Sequence, residues 1–252
     1  MVWRDILNVK FFLGYQYSLR RSEKIMRNIK KIYTQVSLDL TNIQEALELA
    51  EAATRAGIDW LEAGTPLILA EGLRAVQALK TRFPKHPVVA DIKTMDGAGL
   101  EAEMMIKAGA DYVVVMSQAH WSSVKEMVRV AHDLGAKVMA DILNAPNKVE
   151  AARKMQDLGA DWIIHHIGYD ERRYVKNISP LDQIDDILGA TSIPVQAVGG
   201  LTIDQALETT KRGAQSIVIG APLAIQADRF ATGEEFEEKL KEVVTLVQKV
   251  FK

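Results

Sequence analysis

The sequence predicts an α/β fold, a single (β/α)8 TIM barrel with an N-terminal helical extension, on three observations. Its 252 residues match the roughly 250 that such a barrel typically needs. From Tyr33 onward a helix-period segment, a glycine turn and a compact apolar run keep recurring. The runs, such as Tyr112-Val-Val-Val-Met116 and Ser216-Ile-Val-Ile219, are continuous, as expected for parallel strands buried on both faces. Repeated alternation with short connections argues for a closed barrel. An open doubly wound sheet is the competing arrangement, because periodicity alone does not show closure.

Residues 1–32 read as a basic helical extension, with Arg4, Lys10, Arg20, Arg21, Lys24, Arg27, Lys30 and Lys31 around an apolar patch, Phe11-Phe12-Leu13-Gly14-Tyr15. A secretory signal would need a longer apolar stretch and a small-residue cleavage site. The extension is expected to pack on the barrel or on a neighbouring subunit; a disordered or membrane-touching arm is the competing picture. Residues 33–252 make the barrel domain. Strands are predicted near 33–39, 58–63, 87–92, 111–116, 137–142, 161–166, 193–198 and 215–220, and helices near 42–56, 70–83, 97–108, 121–134, 147–158, 180–188, 203–212 and 234–250. Helices hand over to strands through glycine turns at 56–59, 108–111, 134–137, 158–161 and 212–215, where glycine suits the left-handed residue that closes a helix. Thr41 is the expected cap of the first helix, and Thr202 with Gln205 that of the seventh. The longest irregular piece, Gly168 to Ser179, carries Asp170, Glu171, Arg172, Arg173 and Lys176, and is long enough to be a mobile active-site loop.

Composition narrows the chemistry. A net charge of −2 gives no reason to expect nucleic acid or an anionic membrane as partner, so an anionic ligand needs a local site. With no cysteine, disulfides, thiolate zinc sites and cysteine nucleophiles are excluded, and a reducing cytoplasm is the expected location. No apolar run approaches the roughly 20 residues that span a bilayer.

Barrel chemistry sits at the C-terminal ends of the strands. Asp39 ends the first predicted strand, Glu62 the second, Asp91 and Lys93 the third, Asp141 the fifth, and His165 and His166 the sixth; Gln118 and His120 follow the fourth. Any one of them could be a helix cap or a rim ion pair. Several such residues on successive strands are harder to explain that way, and a ring of carboxylates (Asp39, Glu62, Asp91, Asp141) would repel itself unless Lys93 and a cation neutralise it. His165 and His166 are adjacent on a strand, so at most one faces the barrel mouth. His86 and His132 read as structural. Gly199-Gly200 and Gly220, at the last two strand ends, suit a phosphate site, with backbone N–H groups and helix dipoles as ligands; a tight turn explains a lone Gly-Gly equally well.

Asp91-Ile-Lys93-Thr-Met-Asp96 matches the Asp-x-Lys-x-x-Asp motif of the orotidine 5′-phosphate decarboxylase superfamily. Leu61-Glu-Ala-Gly-Thr-Pro-Leu-Ile68, Ala70-Glu-Gly72 and Ala90-Asp-Ile-Lys-Thr-Met-Asp96 resemble its 3-hexulose-6-phosphate synthase family, from about Gln35 to Ala227. The resemblance implies a reversible aldol reaction joining D-ribulose 5-phosphate and formaldehyde into D-arabino-hex-3-ulose 6-phosphate through an enediolate. It implies Mg²⁺ as cofactor, held by Glu62 and Asp91, with Lys93 as a second positive charge. It implies a homodimer in which Asp96 reaches the partner's site. His166 corresponds to the family's strand-six histidine, in His166-Ile-Gly-Tyr-Asp170, and is the candidate acid and base. Asp39, Thr65 and Asp141 would orient substrate hydroxyls, and amides at Gly200, Gly220 and Ala221 would hold the phosphate. The related 3-keto-L-gulonate-6-phosphate decarboxylases carry arginines where this chain has Tyr169 and Ala221, which favours the synthase; decarboxylation through the same intermediate is the alternative activity, and a silent phosphate-binding barrel a remote one.

Overall fold

The computed structural model of the chain describes residues 31–221 and 234–250. The expected extension over 1–32 therefore lies outside the described residues, apart from Lys31 and Ile32. The strands are β1 (Tyr33–Leu38), β2 (Trp60–Ala63), β3 (Val88–Thr94), β4 (Tyr112–Met116), β5 (Lys137–Asp141), β6 (Trp162–His166), β7 (Val195–Val198) and β8 (Ser216–Ala221). Each pairs in parallel with the next, and β8 pairs with β1, from Tyr33 opposite Ser216 to Leu38 opposite Ala221. The sheet is therefore closed, which excludes the open doubly wound arrangement.

The described helices are α1 (Ile43–Ala56), α2 (Thr65–Glu71), α3 (Leu73–Arg82), α4 (Ala98–Lys107), α5 (Trp121–Asp133), α6 (Lys148–Asp157), α7 (Tyr169–Tyr174), α8 (Ile184–Ala190), α9 (Ile203–Arg212) and α10 (Glu234–Lys249). None is long and apolar enough to cross a membrane. Most of the apolar core lies between the strands and this helical layer; α10 contributes Phe236, Leu240, Val243 and Val247, all almost fully buried. A smaller cluster fills the barrel itself. Tyr33, Trp60, Tyr112 and Trp162 each begin a strand, and their rings meet with centroids 4.7 to 6.0 Å apart. This aromatic floor closes the N-terminal end, leaving the other end for polar groups.

Four local expectations are corrected. The helix predicted near 70–83 is two helices, α2 and α3, broken at Gly72, whose φ of 62° and ψ of −146° continue no helix. The cap of α1 is Asn42 rather than Thr41, its side chain accepting from the N–H groups of Gln44 and Glu45. The helix predicted near 180–188 begins only at Ile184, after Gln183 in a left-handed conformation, and runs to Ala190. The stretch Gly168–Ser179 includes the short helix α7, with Glu171 reaching back to the Gly168 N–H at 3.3 Å. At α9, Thr202 and Gln205 form the expected reciprocal cap.

Candidate active site

Residues facing into the barrel alternate along each strand. Counting by two from the aromatic floor gives Gln35 and Ser37 on β1, Glu62 on β2, Asp91 and Lys93 on β3, Asp141 on β5, His166 on β6 and Gln196 on β7. One narrow cleft is lined by Gln35, Glu62, Asp91, Lys93, Asp141, His166 and Gln196, together with apolar Val89, Val114, Ile164 and Val198. The cleft thus brings together Glu62, Asp91, Lys93, Asp141 and His166.

Within it runs a chain of alternating charge. Thr65 Oγ donates to the Asp91 backbone carbonyl at 2.8 Å and to Asp91 Oδ2 at 3.0 Å. Lys93 Nζ is 2.6 Å from that same Oδ2 and 3.6 Å from Asp141 Oδ2. Asp141 Oδ2 in turn lies 2.9 Å from His166 Nδ1, while Asp141 Oδ1 accepts from the Leu143 N–H at 2.8 Å. Burial works against the Asp141 carboxylate, but His166, Lys93 and the Leu143 amide outweigh it and hold its pKa below the ordinary value. Asp141 is therefore an anion accepting the Nδ1 proton, which leaves Nε2 as the basic nitrogen of His166. Burial also opposes the Lys93 charge, yet Asp91, Asp141 and Glu62 hold the ammonium well above the lysine range. Lys93 sits at φ 45°, a backbone strain uncommon for a side-chain-bearing residue, where the β3–β4 register shifts between Ala90 and Thr94. That bulge sets its ammonium between two carboxylates.

The second polar layer was not foreseen. Glu62 accepts from Ser37 Oγ at 2.8 Å and from the Gln35 amide; Gln196 donates to Gln35 Oε1 at 2.9 Å and lies 3.0 Å from Ser216 Oγ. Its signal was present in Gln35-Val-Ser37-Leu-Asp39, where every second residue is polar within an apolar strand. Burial first, then Asp91 and Asp39, push the Glu62 carboxyl up to about 8; Asp39 is likewise raised to about 6, by burial and Asp91. Three mutually repelling carboxyls favour a cation. Asp91 Oδ1 is buried without a hydrogen-bond partner. Among the described residues no group of three or more histidine, aspartate or glutamate side chains is placed to hold a metal ion. Two carboxylates with further places left to water and substrate are what a hard ion such as Mg²⁺ accepts, so Glu62 and Asp91 fit such an ion.

The remaining expected residues lie around or away from this cleft. Asp39 Oδ1 occupies the space beside Gly64, where an added methyl would come within 2.2 Å of it. Gly220 and Ala221 end β8 opposite Ser37 and Leu38. Gly200 has φ 61° and lies against the Arg172 guanidinium, which the sequence had placed only in a loop. Asp96 stands apart: it lines an open groove of about 630 Å³ between α4 and α5, 3.4 Å from Ser123 Oγ. His165 points outward, buried, with Nε2 2.9 Å from the Asp182 carbonyl, so of the two adjacent histidines only His166 lines the cleft; His132 pairs with Asp161 at 2.9 Å. His120 caps α5 through Ser122.

The chain is similar to known proteins. Residues 33–236 match the family model described as orotidine 5′-phosphate decarboxylase / HUMPS family. The 3-hexulose-6-phosphate synthase of Bacillus subtilis (strain 168) is 32% identical over 205 residues, covering 81% of this chain and 96% of that protein. That of Mycobacterium gastri is 34% identical over 204 residues, covering 80% and 96%. A crystal structure of 3-hexulose-6-phosphate synthase superposes with a TM-score of 0.75 at 31% identity, covering 85% of this chain and 99% of the other.

Proposed function

The chain belongs to the orotidine 5′-phosphate decarboxylase / HUMPS family, and from that premise we propose that it is an aldehyde-lyase of the 3-hexulose-6-phosphate synthase type. It joins D-ribulose 5-phosphate and formaldehyde, reversibly, into D-arabino-hex-3-ulose 6-phosphate. The observation that carries the reading is the continuous chain Asp91–Lys93–Asp141–His166 within one cleft.

His166 Nε2 removes a proton from C1 of the ketose, and Asp141, bonded to Nδ1, steadies the imidazolium that results. The electron pair moves toward the C2 oxygen, giving an enediolate whose charge the Lys93 ammonium faces. Carbon 1 then attacks the formaldehyde carbon, and the new alkoxide takes the proton back from His166. Asp39, Thr65 and Asp141 orient hydroxyls, and the Gly200, Gly220 and Ala221 amides receive the phosphate. Glu62 and Asp91 would hold a Mg²⁺, which when bound acts as a Lewis acid on substrate oxygens. Leu100 is exposed and lines the Asp96 groove, and the exposed Met95, Met104 and Trp121 are each next in sequence to a lining residue; these apolar groups support a homodimer with shared sites.

The test is formaldehyde-dependent consumption of ribulose 5-phosphate, run beside exchange of the substrate's C1 proton with solvent. We expect turnover, and His166→Ala is expected to suppress exchange by at least about 10²-fold while phosphate binding persists. Undiminished exchange in that variant would remove His166 as the base. Release of CO₂ from a 3-keto-hexonate phosphate, without formaldehyde-dependent turnover, would replace the synthase reading by the decarboxylase one.

A further inference from the structure

The phosphate cradle at the ends of β7 and β8 has no cation of its own among the described residues: 198–202 read Val-Gly-Gly-Leu-Thr and 219–221 read Ile-Gly-Ala. The fold delivers one from another element. Arg172, on α7, lays its guanidinium against Gly200, so that a methyl built there would fall 1.8 Å from Nη1 and 2.5 Å from Cζ. The missing side chain at Gly200 thus seats a cation as well as exposing an amide. Arg172 is half-buried, and its Nε is buried without a hydrogen-bond partner. No carboxylate among the described residues pairs with it, whereas Arg55, Arg82, Arg129 and Arg212 all have one. The Tyr169 ring, 5.7 Å from Cζ, flanks the guanidinium. Arg173 flanks the same ring at 5.6 Å but stays exposed.

A half-buried guanidinium without a counter-ion is costly, and a phosphomonoester is the anion whose geometry a planar fork of donors matches. We propose that Arg172 is the phosphate-anchoring residue, clamping the substrate's phosphomonoester against the Gly199-Gly200 turn. This rests on the sugar-phosphate reading above and adds to it the source of the positive charge. It also links the two ends of the substrate: Arg172 lies six residues beyond His166 on the same β6–α7 segment, so anchoring the phosphate fixes the chain that carries the base.

The experiment measures binding of inorganic phosphate, D-ribulose 5-phosphate and unphosphorylated D-ribulose to the wild type, Arg172→Gln, Arg172→Lys and Arg173→Gln. Arg172→Gln should weaken both phosphate ligands by about 10- to 100-fold, the range of a lost charge-assisted pair, and raise KM more than it lowers kcat. Arg172→Lys should recover part of the loss, and Arg173→Gln should bind as the wild type does. Affinity for D-ribulose should not change. On the wild-type protein, inorganic phosphate should protect Arg172, and not Arg173, from dicarbonyl modification read by peptide mass; this arm stands even if a variant does not fold. Wild-type affinity in Arg172→Gln, an equal loss in Arg173→Gln, or no protection of Arg172 would each overturn the proposal. Turnover by the wild type is scored separately. If it is absent while phosphate affinity still depends on Arg172, the activity reading falls and the anchor stands; the converse removes only the anchor.

Discussion

Two adjacent histidines show how a single strand position decides a role. His166 faces the cleft with Asp141 behind it, whereas His165 faces the helical layer, where burial pushes its pKa down to about 4. Burial, with the Lys148 charge nearby, keeps the ring neutral. Between about 4 and 6.5 the unfolded chain binds the proton that the native state refuses. Stability due to this residue is therefore present above the unfolded value and is lost as pH falls through the folded one. The loss amounts to roughly 3 kcal/mol at most. His165→Gln keeps an amide donor for the Asp182 carbonyl but has nothing to titrate. Denaturant melts across pH 4 to 7 should show a shallower acid slope in His165→Gln than in the wild type. Parallel slopes would mean that the ring is not held neutral by the fold.

At the scale of elements, the junctions matter more than the strands. Gly64 follows β2 and caps α2 at φ −64°, an ordinary backbone angle, so its lack of a side chain serves space alone. A methyl there would meet Asp39 Oδ1 at 2.2 Å and the Leu38 carbonyl at 2.9 Å, and the carbonyl belongs to a strand held on both sides. Gly64→Ala should cost roughly 1–3 kcal/mol in a urea melt and lower turnover by displacing Asp39; unchanged stability and turnover would show that the junction relaxes freely. Such junctions were only partly legible in the sequence. The eight strands were readable because of their continuous apolar runs, and positive-φ glycines at 57, 109, 135, 159 and 213 mark five of the helix-to-strand turns. Strand-end carboxylates were readable because a buried charge demands a reason. The β3 bulge that turns Lys93 and the seat of Arg172 on Gly200 were not, since each depends on contacts between segments far apart in the chain; the break at Gly72 was missed because a lone glycine inside a helical pattern is tolerated. The Gln35–Glu62–Gln196 layer lay between these cases, visible only once every second residue of each strand is counted.

The whole molecule is polarised: an aromatic floor closes one end of the barrel, charge gathers at the other, and a third feature lies to the side. Asp96 shares the Asp-x-Lys-x-x-Asp motif with Asp91 and Lys93 but lines the α4–α5 groove instead of the cleft. A motif split between two surfaces makes chemical sense if a two-fold axis passes near that groove, so that each subunit's Asp96 completes the other's cleft. The exposed Met95, Leu100, Met104 and Trp121 would then be covered in the dimer. This has a quantitative consequence. Lys93→Ala and Asp96→Ala homodimers each lack one essential group per site. In a heterodimer of the two, one site carries both defects and the other carries neither. Random exchange of equal amounts puts half of the chains into heterodimers, so about a quarter of all sites become intact. Mixing the two variants should therefore restore about a quarter of wild-type turnover, in step with heterodimer formation followed by mass spectrometry. Full exchange without recovered activity would place Asp96 in its own subunit's chemistry or in none.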